Sequence, residues 1–263
     1  MKSNIKIKKI NSEISSIIID EPKTYNSLSF KNLTDLLNAF KKLDADKQLK
    51  VIILEGAGKG FSAGHNLKEV RGLNKKEKYQ KLFNLCSKVM LQIVEGRKPV
   101  IAKVHGAAFA AGCQLVASCD LAYSTRDALF ATPGVNIGLW CLTPMVGISR
   151  AVGKKHVMQM LAGGELHDAD FAFRIGLINQ IAKAESLESE VKQLADGIAS
   201  KSGYTLALGK NALYRQMEMN TSNAYEYAGE LVARNMFHND AKEGIKAFLE
   251  KRDPVWQGRK SEK

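Results

Sequence analysis

Short apolar runs alternate with longer amphipathic segments through the first two thirds of the chain. Residues 51–54 and 100–104 are continuous apolar or nearly apolar runs, which are typical of buried strands. In residues 30–44 and 79–96 the apolar side chains recur every three or four positions, which predicts helices. Because strands and helices alternate in this way, the sequence predicts an α/β fold.

The two ends of the chain depart from this alternation. Ile5 and Ile7 alternate with lysine, and a second apolar run at 15–20 stops at Glu21 and Pro22, which predicts a β-hairpin. Beyond Glu185 the pattern is helical only. Helices are expected near 186–202, 204–215, 222–236 and 240–251. A tail of this kind packs on its own core or on a neighbouring subunit, so we predict a core of residues 1–200 and a helical region of residues 201–263.

Composition excludes several classes of protein. The longest apolar stretches, such as residues 104–113, are shorter than the roughly 20 residues that a membrane helix needs. Residues 1–9 carry four lysines and no apolar core of the signal-peptide type. We therefore expect a mature, cytoplasmic protein that does not enter membranes.

The cysteines and histidines give no metal or disulfide pattern. The cysteines are Cys86, Cys113, Cys119 and Cys141, and none of them forms a CxxC pair. The histidines are His65, His105, His156, His167 and His238, and none lies in an HExxH motif. Reduced thiols and no bound metal are expected.

The formal net charge is +12, which favours anionic partners such as a phosphorylated cofactor or a nucleic acid. Many lysines, such as Lys75, Lys76 and Lys78, lie on a predicted helix face and are expected to be solvated. No segment interleaves basic with aromatic residues, so a nucleic-acid partner is not favoured.

Four motifs in a fixed order carry the most specific information. They are residues 59–68 (KGFSAGHNLK), 105–115 (HGAAFAAGCQL, followed by SCD), 130–139 (FATPGVNIGL) and 243–252 (EGIKAFLEKR). Together they resemble the enoyl-CoA hydratase/isomerase, or crotonase, superfamily over nearly the whole chain. The resemblance implies a spiral of ββα units, a C-terminal helical region that forms trimers, and a homotrimer or hexamer.

For the site, the resemblance implies that two loops supply one backbone N–H each to a thioester oxygen. These are the amides of His65 and of Ala111, the latter at the start of a helix whose dipole also favours an anion. Coenzyme A is implied as part of an acyl-CoA or enoyl-CoA substrate, with no tightly bound cofactor. The implied coenzyme contacts are Lys23, Ala63, Gly64, Asn66, Leu67 and Lys68, with Phe248 and Lys251 reaching across from a neighbouring subunit.

The chain departs from the family pattern where proton transfer is expected. Hydratases of the family use two glutamates as a paired acid and base, and these positions hold Gln114 and Gly134 here. Neither residue exchanges a proton near neutral pH, so ordinary hydratase activity is predicted to be weak or absent. Three side chains are candidate substitutes: Cys141 as a nucleophile, Asn136 as an orienting group and His65 as an imidazole.

Several readings remain open from the sequence. A Rossmann fingerprint at residues 56–61 fails because Phe61 stands where its third glycine belongs, and no GxSxG elbow is present. The first reading is an enzyme that hydrates, isomerises or hydrolyses a CoA thioester. The second is an acyl-CoA-binding protein without catalysis. The third and least favoured is an RNA-binding family member.

Overall fold

The structure is a computed structural model that describes residues 3–257. Its strands are β1 (Ile5–Lys9), β2 (Ile14–Ile19), β3 (Val51–Gly56), β4 (Val100–Val104), β5 (Ala107–Phe109), β6 (Leu121–Thr125), β7 (Leu129–Ala131) and β8 (Gln180–Ala182). Its helices are α1 (Phe30–Ala45), α2 (Leu67–Gly72), α3 (Lys76–Glu95), α4 (Ala111–Ser118), α5 (Leu142–Ala151), α6 (Lys154–Gly163), α7 (Ala169–Arg174), α8 (Leu187–Ala199), α9 (Gly203–Gln216), α10 (Thr221–Phe237) and α11 (Asn239–Leu249). Two 3₁₀ helices span Pro22–Thr24 and Pro133–Ile137.

Six strands form the main sheet in the order β1-β2-β3-β4-β6-β8. The first two pair antiparallel, with Ile7 opposite Ile17, which confirms the predicted hairpin. All other neighbours in this sheet pair parallel, and the helices α1, α3 and α4 lie between successive strands along the chain. The predicted α/β fold is confirmed.

Both faces of the main sheet are covered, which explains the continuous apolar runs. One face carries the larger core, where Ile17 and Leu54 pack with Leu36 of α1 and Val89 of α3. The other face packs Val51, Ile53 and Ile101 against Val191 and Ala195 of α8. Strands that are buried on both faces do not show polar alternation.

A second, smaller layer holds the loops that follow the main strands. β5 and β7 pair parallel with each other, and isolated bridges join Ser62 to Ala108 and Phe130 to His167. The sequence analysis assigned no strand to residues 107–109 or 129–131. These strands have three residues each, and the alanines of β5 carry no β-strand signal.

The C-terminal helices form a layer with few buried side chains. α9 buries only Lys210, α10 buries no residue, and α11 buries Asp240 and Ala247. Apolar residues such as Tyr225 and Phe237 are exposed in this chain. Residues 258–263 of the predicted helical region lie outside the described residues.

Between residues 3 and 257 no helix has both the length and the apolar character required to cross a bilayer.

Candidate functional site

Two glycine- and alanine-rich loops run side by side after β3 and β4. Ser62 N–H donates to the carbonyl oxygen of Ala107 at 2.9 Å, and Phe109 N–H donates back to the carbonyl oxygen of Ser62 at 2.9 Å. A Cβ atom on Gly112 would lie 2.1 Å from the Ser62 carbonyl oxygen. Glycine is therefore required at 112 for the loops to pack this closely.

The amide of His65 points away from Leu28, the residue that is hydrogen-bonded to its loop. The Gly64 carbonyl oxygen accepts a hydrogen bond from Leu28 N–H at 2.8 Å. The peptide bond between Gly64 and His65 is trans, so its N–H points opposite to its C=O. Consequently the His65 N–H points away from Leu28, and within residues 3–257 it donates to no backbone carbonyl.

The amide of Ala111 points out of the N-terminus of α4. The preceding carbonyl oxygen, of Ala110, accepts from Gln114 N–H at 3.0 Å and so points along the helix. The Ala111 N–H of the same trans peptide therefore points outward, where the helix has no carbonyl to offer. Ala110 has φ 49° and ψ −114°, and its own N–H donates to the Ala131 carbonyl oxygen at 2.8 Å.

The two amides belong to neighbouring parts of the loops. A Cβ atom built on Gly64 would lie 3.1 Å from the Ala111 nitrogen and 2.8 Å from the Phe109 carbonyl oxygen. Gly64 has φ +85°, a conformation that other residues rarely adopt. The structure thus places His65 and Ala111 in adjoining segments, and in the part of the chain it describes neither outward N–H group has a backbone acceptor.

Comparisons with known proteins show the family of this chain. The enoyl-CoA hydratase/isomerase family model matches residues 9–259. The chain belongs to the enoyl-CoA hydratase/isomerase family. It is 42% identical over 243 residues to rat "enoyl-CoA hydratase domain-containing protein 3, mitochondrial", covering 92% of this chain and 81% of the relative.

Two crystal structures are close to this member of the family. An enoyl-CoA hydratase of Mycobacterium smegmatis has a TM-score of 0.95 at 43% identity, covering 97% of this chain and 99% of that one. Human enoyl-CoA hydratase domain-containing protein 3 has a TM-score of 0.93 at 40% identity, covering 96% and 100%. The sequence of residues 130–139 also predicts a similarity to enoyl-CoA hydratase domain-containing protein 3, and these identities confirm it.

Gln114 lies in the first turns of α4, three residues after Ala111. Its side chain is only 3% exposed, and its Oε1 atom is buried without a hydrogen-bond partner among the described residues. Its Cγ lies beside α5, 3.4 Å from where a Cβ on Gly147 would be. Gln114 is therefore a buried neutral amide with one unused acceptor.

At position 134 there is no room for a side chain. A Cβ there would lie 2.5 Å from the Leu139 carbonyl oxygen and 2.9 Å from the Sγ of Cys141. The thiol of Cys141 accordingly stands where a side chain at 134 would begin. A glutamate at 134 would require the backbone of Leu139 to move as well as the thiol.

Cys141 is buried and its thiol is not activated. Burial raises the pKa of this thiol above its ordinary value, and the hydrogen bond from the Gly134 N–H offsets only part of that effect. Burial also raises the pKa of the neighbouring Cys113 to about 12, with a further contribution from Cys141. Both thiols are thus kept protonated near neutral pH, which opposes a nucleophilic role for Cys141.

Asn136 has a structural partner. Its Nδ2 donates to the Gly164 carbonyl oxygen at 2.9 Å, which ties the 3₁₀ helix Pro133–Ile137 to the end of α6. Gly164 has φ +62°, and a Cβ there would lie 2.6 Å from Val135. The amide nitrogen of Asn136 is therefore committed to the loop.

The imidazole of His65 packs edge-on against Phe83 of α3, with the ring centroids 5.1 Å apart. Burial lowers its pKa from 6.5 to about 4, so the ring is neutral near pH 7. Its Nε2 atom is buried without a partner among residues 3–257. The ring is thus a neutral, buried group beside its own outward amide.

The candidate coenzyme contacts around the first loop fall on adjacent segments. Ala63 N–H donates to the Tyr25 carbonyl oxygen at 2.9 Å, which places the 3₁₀ helix that carries Lys23 beside the loop. Asn66 caps α2 by accepting from Lys68 N–H at 3.1 Å and Glu69 N–H at 3.2 Å. Leu67, Lys68 and Lys23 are exposed.

The two C-terminal candidates are separate from the loops. Phe248 is 82% exposed near the end of α11, and Lys251 follows it with φ 56°. Both side chains are exposed to solvent in the described part of the chain.

Asn26, which fixes the first loop, belongs to none of the sequence motifs. Its side chain is fully buried and its Nδ2 donates to the carbonyl oxygens of Ala57 and Gly60, each at 2.7 Å. Its Oδ1 accepts from Glu21 N–H at 2.9 Å, and its φ is 57°. An asparagine between two turn-prone segments is a weak signal, because asparagine tolerates this conformation in many ordinary turns.

Proposed function

We propose that this protein binds acyl-CoA thioesters and polarises the thioester carbonyl between the N–H groups of His65 and Ala111. One observation supports the proposal: where Gly64 packs against Ala111 lie two outward amides that have no backbone acceptor among the described residues. Such preorganised donors stabilise the negative charge that develops on a thioester oxygen when an enolate forms. Lys23 and Lys68 supply positive charge for the coenzyme phosphates, and coenzyme A is part of the ligand rather than a tightly bound cofactor.

Fast hydration is not expected from this site. Gln114 and Gly134 stand at the two positions where the family has its glutamates, and the Cys141 thiol is held in its protonated form. Under this proposal the protein binds an acyl-CoA or enoyl-CoA ligand and stabilises its enolate, with weak or no hydratase activity. Catalysis-free acyl-CoA binding is the second candidate, and the same replacements favour it.

The assembly and location belong to the proposal too. Exposed apolar side chains on α10, exposed Phe248 on α11 and exposed Lys251 just after α11 fit a homotrimer or hexamer in which a neighbouring subunit completes the coenzyme site. A cytoplasmic location stays a prediction, since the rat relative carries "mitochondrial" in its name. RNA binding remains the least favoured reading.

The test is calorimetry with butyryl-CoA, free coenzyme A and the Gly64→Ala variant. The wild type is expected to bind butyryl-CoA, a saturated thioester that cannot be hydrated. Gly64→Ala is expected to lose at least tenfold in affinity, about 1.4 kcal/mol, because its Cβ would push the two amides apart. Loss of the crotonyl-CoA absorbance then measures hydration. Equal affinity of wild type and variant, or no binding at all, would overturn the proposal.

A further inference from the structure

The C-terminal layer, residues 201–257, has few buried side chains, and the one that α9 buries is polar. A helix of a globular protein normally docks through an apolar stripe. The single buried residue of α9 is a lysine, Lys210, and α10 buries no side chain. A charged side chain is therefore the deepest point of contact between α9 and the core.

Lys210 reaches three acceptors on the core. Its Nζ donates to the carbonyl oxygens of Ile93 and Lys98, at 2.7 and 2.8 Å, and to Oδ2 of Asp120 at 2.7 Å. The side chain of Lys210 is 4% exposed and that of Asp120 is 15% exposed. An ammonium group has three donors, so Lys210 is fully satisfied in this position.

Tyr214 adds a second contact to the same carboxylate. One turn after Lys210, its hydroxyl donates to Oδ1 of Asp120 at 2.9 Å. Oδ2 of Asp120 also accepts from Val100 N–H at 2.6 Å, at the start of β4. Asp120 thus connects α9 directly to the main sheet.

The apolar contact beside this cluster is incomplete. A cleft of about 600 Å³ lies between α8, α9 and the strand ends. Apolar side chains that line it include Pro99, Leu121, Ile198, Leu206, Leu213 and Trp256. Side chains that face a gap lose dispersion contacts with the opposite wall. The polar cluster consequently carries a large share of the docking.

We infer that Lys210, Asp120 and Tyr214 form a latch that holds the C-terminal layer on the core, and that this layer opens as a unit while the core stays folded. The inference deepens the proposed function and rests on it in one respect. Because Phe248 lies on α11 and Lys251 follows that helix, the latch also sets where the residues proposed to meet the nucleotide part of coenzyme A lie. Lys210 and Asp120 are then positioning residues for the coenzyme.

The test is amide hydrogen exchange on the full chain with Lys210→Met, which leaves Asp120 without its cation. Removing one partner of a buried pair is expected to lower the protection of peptides from α9 to α11 by about 100-fold or more, while peptides from β2 to β4 stay unchanged. Glu218→Gln is the matched control. It removes the exposed ion pair with Arg150, which crosses the same boundary, and is expected to change nothing.

A milder variant and a second ligand keep the outcomes separate. Tyr214→Phe deletes one hydrogen bond and should lower the protection of α9–α11 about tenfold, even if Lys210→Met does not fold. Lys210→Met should weaken the binding of butyryl-CoA. It should leave the binding of butyryl-pantetheine, which lacks the nucleotide, unaffected. If Tyr214→Phe raises amide exchange equally in the core and in the C-terminal layer, or raises it in neither, the latch is overturned. Failure of wild type to bind butyryl-CoA overturns the proposed function and leaves the exchange test standing.

Discussion

The two halves of the candidate site are made of different chemical groups. One half consists of backbone N–H groups, from His65 and Ala111, which are oriented by hydrogen bonds of neighbouring residues. The other half consists of side-chain positions, Gln114 and Gly134, where the family has carboxylates. Backbone donors survive almost any substitution that preserves the fold, whereas one codon change removes a carboxylate. Under the proposed function, this difference is how a member of the family would keep a thioester site and lose proton transfer.

Gly112→Ala is the strongest way to break the backbone half. Its Cβ would lie 2.1 Å from the Ser62 carbonyl oxygen, and backbone atoms cannot move aside without separating the loops. We expect a loss of roughly 3 kcal/mol in the free energy of unfolding, and loss of butyryl-CoA binding. Urea denaturation and calorimetry measure the two effects.

Gly197→Ala is the matched control for that change. Gly197 lies in α8 with nothing within 4 Å of its added Cβ, so alanine should stabilise the protein by roughly 0.5–1 kcal/mol. If Gly112→Ala binds butyryl-CoA with the affinity of the wild type, the two loops do not form the site.

In His65 the backbone and the side chain can be tested separately. Its amide belongs to the backbone half of the site, and its ring is neutral. The folded pKa is lowered from 6.5 to about 4, so as the pH falls the unfolded chain takes up the proton first. The free energy of unfolding should therefore fall between pH 6.5 and 4, by at most about 3 kcal/mol from this group. His65→Gln should show a shallower slope in urea denaturation across that window, and identical slopes would contradict the buried neutral ring.

Restoring both carboxylates tests the side-chain half. Gln114→Glu with Gly134→Glu should give no measurable hydration of crotonyl-CoA, because a Cβ at 134 meets the Leu139 carbonyl oxygen at 2.5 Å. The loss in the free energy of unfolding should be roughly 2 kcal/mol. Recovery of activity would show that the 134–139 segment moves readily.

The single variant Gln114→Glu is the control for that pair. A carboxyl buried at this position has a raised pKa in the folded state. The free energy of unfolding of this variant should therefore decrease as the pH rises above the ordinary carboxyl pKa.

Cys141→Ala should have the smallest effect. Its thiol is kept protonated by burial, so removal should leave butyryl-CoA affinity within about twofold and cost about 1 kcal/mol through the lost packing. Slow alkylation of the folded protein at pH 8 checks the thiol directly. Loss of an acyl-CoA turnover in this variant alone would assign it a chemical role.

The main elements could be predicted because apolar burial leaves a periodic pattern. α1 begins after Ser29, whose side chain accepts from Asn32 N–H, as the capping pattern predicts. The short apolar run at residues 178–181 predicts a strand, and the structure places β8 at Gln180–Ala182, overlapping that run in part. α2 was missed, being only six residues long with no buried side chain.

The site could be predicted only through the order of its motifs. The directions of the amides of residues 65 and 111 leave no trace in periodicity, since backbone direction does not depend on side-chain hydropathy. The obstruction at Gly134 was also beyond the sequence. It depends on where the Leu139 carbonyl oxygen and the Cys141 thiol lie in three dimensions.

The helix α10 buries none of its own side chains. Tyr225, Val232 and Phe237 each leave most or much of their apolar surface in solvent. If another copy covers that surface, mass action stabilises the folded state at high concentration and dilution weakens it. The melting temperature would then depend on how much of the protein a cell makes.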